Sequence, residues 1–249
     1  EELLGREIDE LNLRYVWRTF KGFWVGVGPD NLPERFSLRR IYTRDLPAIL
    51  RRMTPAVWAV SLSLIVAMVV GGLFAAQYPI PGSVWSPQSL TQDAFRNAPS
   101  VGFLPSFTVK DVLSNNIRSL LLAGIVAIFS FGSIAVVLLM APMGIIGFFM
   151  YQVAQWGLNP WLFFATFVLP HGIFELPAAI LATAAALRLG AVVIARSTQP
   201  RVTVGEGWLA ALADFCKVFV FVTLPLLVIA AIVEVNLTLR VVVWAYGAR

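Results

Sequence analysis

The residues able to do chemistry in this chain are concentrated in one apolar stretch, 169–190, LPHGIFELPAAILATAAALRLG. It holds the only histidine, His171, and a carboxylate four positions later, Glu175. On a helix that spacing stacks imidazole and carboxylate on one face, and Ala178, Ala182 and Ala186 continue the same face. Small residues there let a second helix approach closely. An ionisable group in a bilayer costs about 2.5–3.5 kcal/mol on insertion scales, so it persists where it has partners or lines a polar cavity. Two readings follow: a hydrogen-bonded pair that locks helix packing, or a proton or ligand site. Pro177 lacks the N–H that would bond to the carbonyl of Ile173, which predicts a kink, or a helix that starts near Leu176 with Glu175 at its positive end. Pro170 and Gly172 flank the pair on its other side. Possible polar partners elsewhere are Asn115, Asn116, Gln152, Gln155 and Glu234.

The elements that must position this pair are membrane helices. The chain is 58% hydrophobic and 13% charged over 249 residues, with a mean hydropathy of +0.78. That excludes an ordinary soluble domain. We expect an all-α fold: a polytopic membrane helical bundle of about five transmembrane helices plus a short half-depth helix, preceded by amphipathic interfacial helices. The expected spans are 55–77, 117–140, 142–156, 171–195 and 218–239, with residues 1–52 a separate basic segment and 53–249 the bundle. Glycines 71 and 72 suit a close helix contact, and Ser130, Gly132 and Ser133 read as a small polar patch within the second span. The piece from Trp161 to Pro170 is too short to cross and is expected to stay at half depth on the outer side.

Charge sets the orientation. The net charge is +5, and ten of nineteen Lys and Arg lie in the first 52 residues. That distribution follows the positive-inside rule and gives a cytoplasmic amino terminus in the cell membrane. Basic residues between Arg188 and Lys217 place that loop on the same side, which requires an even number of crossings before it and leaves the carboxyl terminus outside. The leading segment alternates Leu4, Ile8, Leu11, Tyr15 and Phe20 with Glu7, Glu10, Arg14 and Arg18. It reads as an amphipathic helix lying on lipid headgroups or docking a partner, and the basic stretch from Arg35 to Arg52 repeats the pattern. Residues 78–114 are proline-rich and predict turns rather than a long helix.

Several chemistries find no support. One cysteine, Cys216, excludes an internal disulfide and a multi-cysteine metal site. HxxxE supplies two ligands where zinc sites use three or more, and HExxH is absent, so no metal, cofactor or catalytic group is expected. The charges track a membrane boundary and no nucleic-acid motif is present.

The segment PHGIFELPA, through Pro170, His171, Gly172, Glu175, Leu176 and Ala178, resembles the stage II sporulation protein M family of membrane proteins. Looser support comes from Asn115, Asn116, Gly144 and Gly147. Where that family has an Asn-Gly pair, this chain has Met143 and Gly144. The resemblance covers roughly residues 55–239 and leaves out the basic amino-terminal segment. It implies a bundle of about five spans and a non-enzymatic role: a scaffold in cell-envelope remodelling, or a permease-like partner of an ABC-type export system. Implied partners are membrane lipids and other membrane or ATPase subunits. The alternative is a stand-alone transporter using His171 and Glu175 as a proton or ligand site.

Overall fold

The computed structural model describes residues 13–26, 36–81, 108–192 and 203–246. Among them there is no strand. Six helices account for nearly all of it: α1 (Leu13–Val25), α2 (Leu38–Gln77), α3 (Val109–Phe129), α4 (Ser133–Gln155), α5 (Pro160–Ala191) and α6 (Val204–Tyr246). The last five are each long and apolar enough to cross a membrane. They alternate in direction. Two of them exceed a bilayer: α2 has 40 residues and α6 has 43, roughly 60 and 65 Å at 1.5 Å per residue, against a hydrocarbon core of about 30 Å. Their surplus length lies at one end, where the amino-terminal part of α2 and residues 204–218 of α6 form a layer with α1.

Helix ends differ from the expected spans for local reasons. The second span ends at Phe129, because Phe131 and Gly132 take left-handed conformations, φ 52° and 88°, and Gly132 N–H bonds back to Ala127 O at 2.8 Å. This is a glycine-terminated helix end. Ser130 and Gly132 therefore lie in the turn between α3 and α4, Ser133 opens α4, and the three are not a patch inside a span. A Cβ on Gly132 would also fall 2.6 Å from the Leu187 Cα, so α5 closes over the turn. Pro142, read as the start of the third span, lies inside α4. A charge-free apolar run hides such a boundary, since periodicity does not change across it.

The piece from Trp161 to Pro170 is the beginning of α5 rather than a separate half-depth helix. Asn159 caps it, its Oδ1 accepting from the backbone N–H groups of Trp161 and Leu162, and Pro160 occupies a first-turn position where no N–H is needed. Continuity past Pro170 depends on a wide, π-helical turn at Phe164–Val168, closed by Leu169 N–H to Phe164 O. The same arrangement precedes Pro47, with Ile41–Asp45 closed by Leu46, and Pro225, with Phe219–Thr223 closed by Leu224. A proline ring crowds the carbonyl four residues back and donates nothing, and a widened turn relieves both faults without ending the helix. Arg39 to Arg52 are for the same reason continuous with the first span, and α5 runs unbroken through Pro177.

The bundle closes through small residues. A Cβ on Gly71 would lie 1.9 Å from Gly144 O, and one on Gly147 would lie 1.9 Å from Met68 O, so the backbones of α2 and α4 touch. Helix α5 is central, packing on α2, α3, α4 and α6. Its Ala178, Ala182, Ala184, Ala185 and Ala186 are buried. Leucines, isoleucines and valines such as Leu62, Ile65, Val69, Leu122, Ile125, Val137 and Ile145 point outward, as lipid-facing side chains do.

Candidate functional site

The site is assembled from three helices. His171 lies three residues past the end of the wide turn in α5, and Glu175 follows one turn later, with His171 Nε2 and Glu175 Oε2 3.8 Å apart. Because α5 is continuous through Pro177, Glu175 lies within the helix and not at its start. Helix α3 brings Asn116, whose Nδ2 donates to Glu175 Oε1 at 3.1 Å. Helix α6 brings Glu234 and Thr238. One ligand atom each of His171, Glu175 and Glu234 lies within 4.8 Å of the others. Glu234 and Thr238 open and close a wide turn, Glu234–Thr238, that no proline calls for. Such turns are common where a helix must re-aim side chains at a functional site.

The two ring nitrogens of His171 have different neighbours. Thr238 Oγ1 donates to Val233 O at 3.4 Å, and its lone pair faces His171 Nδ1 at 3.3 Å. With the imidazole proton on Nδ1 both contacts are satisfied and the Nε2 lone pair faces Glu175 Oε2; in the other tautomer Nδ1 accepts from Thr238 and Nε2–H faces the carboxylate. At 3.8 Å that pair is outside hydrogen-bond range. Asn116 occupies the other oxygen of Glu175. In the first tautomer the centre of the cluster collects lone pairs from His171, Glu175 and Glu234. Among the described residues, no Lys or Arg forms an ion pair with Glu175 or Glu234.

The cluster opens into a cavity of about 340 Å³. Its walls are mostly apolar, with Val112, Leu139, Met143 and Ile146 among its lining residues, and Asn115, also lining it, is exposed. A second cavity, about 300 Å³, continues past Asn116 and Glu175 to Ser119 and Thr183. Along α5, His171 and Arg188 are separated by roughly 25 Å, so the site belongs to the end of the bundle opposite the basic layer.

Of the residues singled out from the sequence, His171, Glu175, Asn116 and Glu234 converge, and Asn115 lines the cavity without a bond to the cluster. Gln152 goes elsewhere. It is fully buried, donates to Ala75 O and Tyr78 O at 3.2 and 2.9 Å, and accepts from Ile80 N–H at 3.1 Å, fastening the end of α2 to α4. Gln155 is exposed. Pro170 and Gly172 act through the backbone; Gly172 is buried beside the cavity, and Pro177 is exposed. Thr238 is the residue that sequence reasoning missed. Its signal is the i, i+4 spacing to Glu234, the same spacing that joins His171 to Glu175.

The opposite end carries a different charge cluster. Lys217 Nζ bonds to Asp45 Oδ2 at 2.7 Å and to Phe23 O at 3.0 Å, and Arg40 lies 3.4 Å from Asp45. Asp214 takes Arg52 at 3.5 Å and Arg188 at 3.7 Å. Here α1 is attached to the bundle: Tyr15 donates to Glu206 at 2.8 Å, Arg40 donates to Val25 O at 2.7 Å, and Trp24 rests on Phe221. A capping box at Thr203 and Glu206 starts the α6 segment that receives it.

These features define a polytopic helical membrane protein with a half-buried polar cluster. Residues 59–239 match the model of the family described as stage II sporulation protein M, and the chain belongs to that family. No curated protein and no solved structure matches the chain.

Proposed function

We propose that this chain is a non-enzymatic membrane subunit whose basic end seats another protein, in an ABC-type export system or a cell-envelope remodelling complex. The observation that supports this reading is the state of α1. It is attached to the bundle by side-chain bonds at both ends, yet none of its residues is fully buried and Leu13, Trp17 and Phe23 remain exposed. A helix lying passively on headgroups has no need of such bonds; one that presents a fixed apolar face to a partner does. In this reading the basic layer faces the cytoplasm and the His171 cluster faces the outer leaflet. The test is isolation of the chain from its native membrane through a carboxyl-terminal tag, with co-eluting ATPase activity measured. Wild type should carry the activity, and a Leu13→Asp/Trp17→Asp variant should lose it with the bundle still folded. Equal recovery from both, or none from either, would sink the export-partner reading.

A second reading has its own support. Glu234 adds a third ionisable group to the His171–Glu175 pair, beside a cavity, which favours a stand-alone transporter that uses the cluster as a proton or ligand site.

A further inference from the structure

We propose that His171, Glu175 and Glu234 form a binding site for one divalent transition-metal ion of the zinc or manganese class. The proposal gives a ligand to the cluster and does not depend on what docks at the basic end.

Four features of the geometry carry it. The first is the donor set. One imidazole nitrogen and two carboxylates are a borderline-to-hard combination that suits zinc, manganese or ferrous iron, and it lacks the thiolates that would select copper(I) or an iron–sulfur cluster. The second is aim. Thr238 Oγ1 lies 3.3 Å from His171 Nδ1 and can accept its proton, the tautomer in which Nε2 presents its lone pair to the centre, and Asn116 holds Glu175 Oε1, so Oε2 turns the same way. Outer groups that fix ligand tautomer and orientation accompany metal-binding histidines and carboxylates. The third is spacing. The ligand atoms lie within 4.8 Å of one another, and His171 Nε2 is 3.8 Å from Glu175 Oε2. That is too long for a hydrogen bond, whereas ligands on a common zinc ion sit about 3.4 Å apart at tetrahedral geometry. Movements of about an ångström, within reach of side-chain rotation, bring all three to one ion. The fourth is charge. Two carboxylates share a membrane-embedded site with a single imidazole, and no cationic side chain among the described residues answers them. A divalent ion answers both, and the adjoining cavity of about 340 Å³ leaves room for water or a small ligand to complete the coordination shell.

A proton shared between the two carboxylates would also lower their repulsion, and the experiment separates the two. Detergent-solubilised full-length protein is stripped with a chelator and titrated with zinc chloride by calorimetry, and with cobalt(II) by visible absorption. The expected result is one equivalent of either ion per chain, a cobalt d–d band, and a rise in unfolding temperature on loading. His171→Gln and Glu234→Gln should abolish the band. Thr238→Val, which touches no ion, should weaken zinc binding about 10- to 100-fold while leaving the stoichiometry at one. Absence of saturable binding in wild type overturns the proposal in favour of a proton site. Binding that all three variants retain at wild-type affinity places the ion elsewhere and overturns it equally. Loss of the co-eluting ATPase in the docking experiment leaves this result unchanged, so the two proposals fail separately.

Discussion

The two ends of this bundle solve the same electrostatic problem in different ways. At the basic end, Asp45 and Asp214 are surrounded by Arg40, Arg52, Arg188 and Lys217, so each of the two has at least two cations within 4 Å. At the other end, Glu175 and Glu234 share one imidazole. The first cluster is paired from within the chain: it lines a cavity of about 280 Å³, but its partners come from the chain itself, and it joins α1, α2, α5 and α6 into one layer. The second is open and faces a cavity. Carboxylates paired with cations of the same chain hold structure in place, whereas half-buried carboxylates without a Lys or Arg partner call for something that arrives from outside.

Breaking the paired cluster should have the largest effect on stability. Asp45→Asn leaves the Lys217 ammonium, 6% exposed, without its 2.7 Å partner. Removing one member of a buried pair typically costs about 3–5 kcal/mol. Thermal unfolding in detergent should show a loss near the lower figure, since Phe23 O still accepts from Lys217. A loss under about 1 kcal/mol would mean that this layer is solvated and that the contrast between the two ends is false.

The same kind of substitution in the open cluster should act in the opposite direction. In metal-stripped protein, Glu234→Gln removes a like charge from beside Glu175 and is expected to stabilise the bundle by about 1 kcal/mol. The measurement is the unfolding temperature with chelator present. Destabilisation comparable to Asp45→Asn would show that Glu234 has a structural partner and that the cluster is as fully paired as the other.

Arg52→Gln should do least. Its side chain is 59% exposed, and Asp214 keeps Arg188, so the expected loss is no more than about 0.5 kcal/mol. A larger one would mark Arg52 as part of the paired network rather than its rim.

Much of this architecture was legible without coordinates. Composition and the concentration of cations in the first 52 residues carried the membrane assignment and the crossing parity, and five alternating helices satisfy it. His171 and Glu175 were visible because they are polar groups in an apolar stretch at helical spacing. Gly71 was readable as a close contact. The helix boundaries were not, because Pro47, Pro170 and Pro225 look like breaks in a string of letters, whereas a widened turn before each keeps the helix running. The turn at Gly132 was hidden for the reverse reason, since a left-handed backbone leaves no trace in a uniformly apolar run. Residues 1–12, 27–35, 82–107, 193–202 and 247–249, which include the predicted first turns of the amphipathic segment and most of the proline-rich stretch, lie outside the described residues.

By itself the sequence determined that this chain crosses a membrane as helices, which end is basic, and that one imidazole and one carboxylate share a helical face. Those are local properties of charge, hydropathy and spacing. Only the tertiary structure decided that Glu234 and Thr238, about 60 residues further along, meet that pair, and that Gln152 does not. Which helix lies beside which is set by backbone contact at Gly71, Gly147 and Gly190, and by wide turns that rotate side chains about the helix axis. Neither is encoded in the residues at the site.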